Sequence, residues 1–145
     1  MRNIQSADNL DFYCVDYAQK ISSALSEHID RGRLSAADAE HALGKTLSVL
    51  HNSGVYAFCL HITYTRNSGA RAERRISEAV DNNLFGQRGA ATLLRTSDVD
   101  LPITSANNAL EAGKILSQNL DNLFLAKELI QRCLIYARHH VKALT

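Results

Sequence analysis

Arginine is the residue type whose number and spacing give this sequence its clearest chemical meaning. The chain holds 11 arginines and 5 lysines. Four of the arginines fall close together: Arg66, Arg71, Arg74 and Arg75. A guanidinium group donates two parallel hydrogen bonds to a phosphate, which makes arginine the better phosphate ligand of the two basic residues. Because positions 71, 74 and 75 share one face of a helix, the cluster predicts a surface that binds phosphates without regard to base sequence.

The net charge of +1 conceals a segregation of charge along the chain. Residues 64–95 carry six basic and three acidic side chains, and residues 132–145 carry three basic and no acidic ones. This distribution predicts a surface that faces a polyanion, with a second basic group formed by Arg132, Arg138 and Lys142. Ordinary solvated helix faces are the alternative. The ring of Tyr64, beside the first cluster, is expected to be partly buried, with stacking on a base as the alternative.

A different chemistry is suggested by two residues near the C-terminus. Arg132 and His139 are separated by six residues, and a seven-residue step returns to the same face of a helix. This spacing resembles the signature of HEPN-type ribonucleases, which are small all-α domains that dimerise and cut RNA. The resemblance implies that Arg132 stabilises phosphate charge and that His139 acts as acid or base. The alternative is that both residues lie on the solvated side of an amphipathic helix.

Other catalytic and metal-binding patterns are missing from the sequence. None of the six histidines forms a His-x3-His pair, and neither a phosphate-binding loop nor a nucleophile elbow occurs. The three cysteines lack C-x-x-C spacing, which predicts reduced thiols in the core. The first ten residues lack the apolar stretch of a signal peptide, and no apolar run reaches the roughly 18 residues of a membrane span. We therefore expect a cytoplasmic protein that is not an enzyme and that binds no metal, no cofactor and no membrane.

Apolar residues at steps of three and four predict helices along most of the chain. The predicted helices cover residues 8–31, residue 35 to the Asn52-Ser53-Gly54 break, and residues 55–66, 70–84, 105–118 and 121–144. The irregular residues 96–104 are expected to form a surface loop. A length of 145 residues fits one domain. The sequence thus predicts an all-α, single-domain bundle (residues 1–145) of about six helices, in which the long first and last helices pair.

The order of these features resembles a known family. Residues 45–58 run from a helix through Asn52-Ser53-Gly54 into an apolar stretch, and residues 125–138 form a last helix with a basic, alanine-containing end. This layout is similar to the small α-helical subunit of Cmr-type (type III-B) CRISPR effector complexes. The resemblance implies a non-catalytic subunit that stacks in copies along a filament of guide RNA and target RNA.

The resemblance and the arginine clusters lead to one expectation about partners. The chain is expected to bind guide or target RNA, together with other subunits of a ribonucleoprotein complex and further copies of itself. The expected RNA-binding residues are Arg66, Arg71, Arg74, Arg75, Arg132, Arg138 and Lys142. Besides the ribonuclease, a helical adaptor that binds partner helices through its apolar faces remains an alternative.

Overall fold

The fold is a bundle of helices joined by short connections and by one longer one. The computed structural model describes residues 2–96 and 98–144, with side chains from residue 10 onwards. Within these ranges the chain forms five α-helices and one short 3-10 helix. In chain order they are α1 (Arg2–Asp30), α2 (Ala36–Ser68), α3 (Arg71–Leu84), the 3-10 helix (Leu93–Arg95), α4 (Ala109–Leu116) and α5 (Leu120–Lys142). None of these helices combines the length and the hydropathy that a transmembrane span requires.

The predicted all-α class is confirmed, but the number of helices is smaller than the predicted six. The two helices predicted on either side of the Asn52-Ser53-Gly54 break are the two halves of α2. Gly54 has φ 90° and ψ −176° inside this helix, a backbone conformation open essentially to glycine. The chain therefore bends at Gly54 and resumes as helix, because glycine tolerates the bend without ending the element.

The long first and last helices pack against each other, as the sequence predicts. The Cys14 thiol of α1 lies 3.7 Å from the Leu129 carbonyl oxygen of α5 and donates to it. One turn towards the N-terminus of α1, the carboxylate of Asp11 accepts from the Tyr136 hydroxyl at 2.9 Å and from Arg132 at 3.4 Å. The order of these contacts along the two helices makes α1 and α5 antiparallel.

Where the structure describes residues 96–104 they form no helix or strand, as predicted for a loop, but the segment is not confined to the surface and contributes to the core. Val99, Leu101 and Ile103 are buried, whereas the residues that alternate with them, such as Asp100 and Pro102, are exposed. The backbone turns at Asp100, which has φ 54°, and again where the Ile103 amide donates to the Leu101 carbonyl oxygen at 2.9 Å. Around these turns every second residue enters the core while its polar neighbours face solvent, and the polar neighbours dominate the composition of the segment.

All three cysteines are free thiols in the core, as the sequence predicts. Cys14 and Cys133 lie between α1 and α5, and Cys59 lies where α2 meets α4. Burial raises the pKa of Cys14 to about 11 and that of Cys59 to about 12. Burial also raises the pKa of Cys133. The folded protein therefore keeps these groups neutral well above neutral pH.

We expect the free energy of unfolding to fall as the pH rises above the ordinary thiol pKa of about 8.5. Below that pH the thiols are neutral in both states, and above it they ionise only in the unfolded chain, because their folded pKa values are raised. The loss is about 0.8 kcal/mol per thiol at about pH 9. Urea denaturation at about pH 7 and about pH 9 measures it. A Cys59→Ala variant should lose one thiol's share of this pH dependence, and an unchanged dependence would contradict the assignment.

Candidate nucleic-acid interface

Helix α3 is amphipathic, and its two faces divide the core from the candidate interface. The side chains on its inner face are buried: Ile76, Ser77, Ala79, Val80, Asp81 and Leu84. A buried hydrogen bond between the hydroxyls of Thr65 and Ser77 joins this face to α2. Since a helix that buries one stripe turns the opposite stripe to solvent, the packing of α3 directs its arginines outward.

The outer face of α3 brings together three of the predicted RNA-binding residues. Arg71, Arg74 and Arg75, which we call the arginine face, line an open depression of about 570 Å³ together with Glu78. Arg71 and Arg74 are exposed and Arg75 is half-buried. Among the residues that the structure describes, none of these three guanidinium groups forms an ion pair with a carboxylate. Three cations and one anion thus surround a space that is open to solvent.

Arg66 is in the same sequence cluster, but the structure pairs it with a carboxylate. Its guanidinium donates to Asp81 of α3, and Asp81 is only 9% exposed. Burial raises the pKa of Asp81, and the hydrogen bond from Arg66 acts in the opposite direction. The second oxygen of this carboxylate, Oδ1, is buried and has no hydrogen-bond partner within the described part of the chain. Arg66 therefore compensates a buried charge between α2 and α3, which makes it costly to divert to a ligand.

The arginines of α5 are also paired with carboxylates. Arg132 donates to Glu128 at 2.6 Å and to Asp11 at 3.4 Å, and the bond to Glu128 raises the pKa of Arg132. Arg138 donates through Nε to Glu40 of α2 at 3.2 Å. Lys142 lines a cleft beside this pair. The depression on α3 is lined by none of these α5 residues, and Arg132 lines a different pocket from Arg138 and Lys142. The predicted set is therefore not one continuous surface.

Arg132 and His139, the two residues of the HEPN-like spacing, line different pockets. Arg132 borders a pocket with Glu128, Gln131, Ile135 and Tyr136. His139 borders the cleft formed with Glu40, Leu47, Ile135, Arg138 and Lys142. Ile135 is the one lining residue that the two pockets share. The side chains thus face separate spaces, and the guanidinium of Arg132 is already held by two carboxylates.

Tyr64 is exposed, so the expectation of a partly buried ring was wrong. Its side chain is 69% exposed on α2. Two further large side chains at four-residue intervals on the same helix, Tyr56 and Leu60, are also exposed. Neither residue was predicted from the sequence to be exposed. The signal was their four-residue spacing from Tyr64, because residues four apart lie on the same face of a helix.

Comparison of the chain with protein-family models, with curated proteins and with solved structures gives no match. No function is therefore transferred from a relative. The arginine face is the part of the predicted site in which several exposed cations meet without carboxylate partners among the described residues. Its chemistry, rather than a comparison, indicates what the surface binds.

Proposed function

We propose that the chain is a non-catalytic RNA-binding protein whose arginine face contacts the phosphates of RNA. The observation that carries this proposal is the meeting of Arg71, Arg74 and Arg75 around one open depression, with Glu78 as its single acidic lining residue. Guanidinium groups that lack carboxylate partners can exchange water for phosphate oxygens at little cost in desolvation. Contacts of this kind recognise the backbone and are independent of base sequence.

The remaining basic residues take a secondary role in this proposal. Three of them form ion pairs with carboxylates: Arg66 with Asp81, Arg132 with Glu128 and Asp11, and Arg138 with Glu40. A phosphate at these positions would have to compete with a carboxylate that is already in place. Lys142 lies beside Arg138 in the cleft between α2 and α5, where it adds to the positive potential near the C-terminus.

Three phosphate contacts make a weak binding site on their own. Each contact to a single strand contributes about 0.7 to the slope of log affinity against log salt, so the arginine face supplies a slope of about 2. Several copies bound side by side on one RNA would multiply this weak affinity through a high effective concentration. Such an arrangement fits the small subunit of Cmr-type CRISPR effector complexes that the sequence resembles, and we include that assignment in the proposal.

The proposal is tested by measuring fluorescence anisotropy of a short labelled single-stranded RNA between about 50 and 200 mM salt. We expect the triple variant Arg71→Gln, Arg74→Gln and Arg75→Gln to bind at least about tenfold more weakly at low salt, and its salt slope to fall by about 2. The physical reason is that three guanidinium groups no longer displace counterions from phosphates.

A matched control removes the same charge from elsewhere on the surface. The triple variant Arg88→Gln, Lys114→Gln and Lys127→Gln should keep the wild-type salt slope to within about 0.5, because these residues lie outside the depression. If both triple variants bind RNA equally well, the arginine face is not the phosphate site. Cleavage of the RNA by wild type that is lost in His139→Ala would favour the ribonuclease alternative instead.

A further inference from the structure

Helix α2 carries an exposed apolar stripe that the packing of the bundle leaves uncovered. Tyr56, Leu60 and Tyr64 are 44%, 45% and 69% exposed, and we call these three residues the aromatic stripe. They follow one another at four-residue steps, which places them on one side of the helix. The opposite side of the same half of α2 is buried through Val55, Phe58, Cys59, Ile62 and Thr65. The exposed part of the stripe is thus turned away from the core, while the Tyr56 ring also lies beside Gly113 of α4.

The aromatic stripe runs directly into the arginine face. The next four-residue step after Tyr64 is Ser68, whose hydroxyl donates to the Tyr64 carbonyl oxygen at 3.0 Å. Gly69 follows, and its carbonyl oxygen accepts from Nη2 of Arg74 at 3.4 Å. The guanidinium of Arg74 thus lies over the turn at which the stripe ends. The C-terminal end of the stripe, at Tyr64, and the Arg74 guanidinium therefore lie at the same end of α2, five residues apart along the chain at Tyr64 and Gly69.

From this continuity we propose that the aromatic stripe stacks against the unpaired bases of the RNA strand whose phosphates bind the arginine face. The inference rests on the proposed function and adds the class of substrate, which is a single strand. Any base can stack on the flat face of a tyrosine ring. Proteins that bind single strands without sequence preference combine such aromatic side chains with basic residues that contact the phosphates. The positive charge of the neighbouring arginines favours a single RNA strand, which is negatively charged, over an apolar protein surface as the ligand of the stripe.

The spacing of the stripe fits several nucleotides of one strand. Successive members are separated by about 6 Å along the α2 axis, and Tyr56 and Tyr64 by about 12 Å. At a rise of about 3.4 Å per nucleotide, the longer distance spans about three to four nucleotides. Only unpaired bases can turn their flat faces to the two rings, because the bases of a duplex are paired and stacked inside.

The test compares a single-stranded oligoadenylate with an abasic strand of the same length, which keeps the phosphates and lacks the bases. We expect wild type to bind the oligoadenylate at least about tenfold more tightly than the abasic strand. The Tyr64→Ala variant should lose about tenfold in affinity for oligoadenylate and nothing for the abasic strand. The Tyr64→Phe variant should behave as wild type, because it keeps the ring.

A matched control is Phe12→Ala on α1, which removes another exposed aromatic side chain, 64% exposed, and should leave both affinities unchanged. Equal binding of the two strands by wild type, or oligoadenylate binding by Tyr64→Ala at wild-type strength, overturns stacking while the dependence on the arginine face can still hold. Failure of both strands to bind overturns the proposed function as well. Self-association of wild type and Tyr64→Ala is compared by sedimentation. If the substitution changes self-association and leaves the RNA affinity unchanged, the stripe is a protein contact and the inference is overturned.

Discussion

Replacing Arg95 by alanine is expected to lower the free energy of unfolding by about 3 kcal/mol. The Arg95 guanidinium donates to four backbone carbonyl oxygens: Phe85 at 2.6 Å, Ile103 at 3.0 Å, Thr104 at 3.5 Å and Ala106 at 2.6 Å. Hydrogen bonds from a charged donor are stronger than neutral ones, and removal of the donor leaves acceptors without a partner. Arg95 therefore joins the end of α3, at Phe85, to residues 103–106 of the connection between α3 and α4 by hydrogen bonds.

Urea denaturation followed by circular dichroism measures this loss. The matched control is Arg88→Ala, since Arg88 is an exposed arginine of the same connection and its removal should change stability by no more than about 0.5 kcal/mol. Arg95→Lys should restore only part of the stability, because an ammonium group lacks the planar fork that reaches several carbonyls. If Arg95→Ala is as stable as Arg88→Ala, the hydrogen bonds of Arg95 contribute nothing to the free energy of unfolding.

Replacing Phe58 by alanine is expected to be the most damaging single change considered, at about 3–5 kcal/mol. The Phe58 side chain is fully buried in the half of α2 that follows the bend at Gly54. Its ring packs against that of Phe85, with a distance of 6.2 Å between the ring centroids. Truncation removes apolar contacts and leaves a cavity that a bundle packed on all sides cannot fill by small shifts.

Chemical denaturation of three variants separates the cavity from other effects. Phe58→Leu fills most of the space and should lose less than half of what Phe58→Ala loses. Phe124→Ala removes an equally large side chain that is 60% exposed and should change stability by at most about 0.5 kcal/mol. Equal stabilities of Phe58→Ala and Phe124→Ala would be incompatible with a packed contact between Phe58 and Phe85.

Phe85 connects both Phe58 and Arg95 to helix α3, which carries the arginine face. This residue caps the C-terminal end of α3; its ring contacts Phe58 and its carbonyl oxygen accepts from Arg95. At the other end of α3, the carboxylate of Glu73 accepts from Lys45 of α2 at 3.1 Å. The orientation of the arginine face thus depends on contacts at both ends of the helix that carries it.

Features that depend on neighbouring residues could be predicted from the sequence. Helical periodicity placed Arg71, Arg74 and Arg75 on one exposed face and gave the long first and last helices, because residues three and four apart share a helix face wherever the helix lies. The burial of the cysteines followed from their residue type and their position among apolar residues. The bend at Gly54 was visible as a break between two predicted helices, although the sequence did not show that the two form one bent element.

Apart from Glu128, which lies four residues from Arg132 on the same helix, the partners of the other arginines were decided only by the tertiary structure. Arg138 meets Glu40 across 98 positions and Arg132 meets Asp11 across 121, and no periodicity relates residues so far apart. The same holds for the inward turn of Arg95 and for the exposure of Tyr64. Local spacing fixes which side chains share a face of a helix, whereas the packing of helices distant in the chain fixes whether that face meets a carboxylate, the core or solvent.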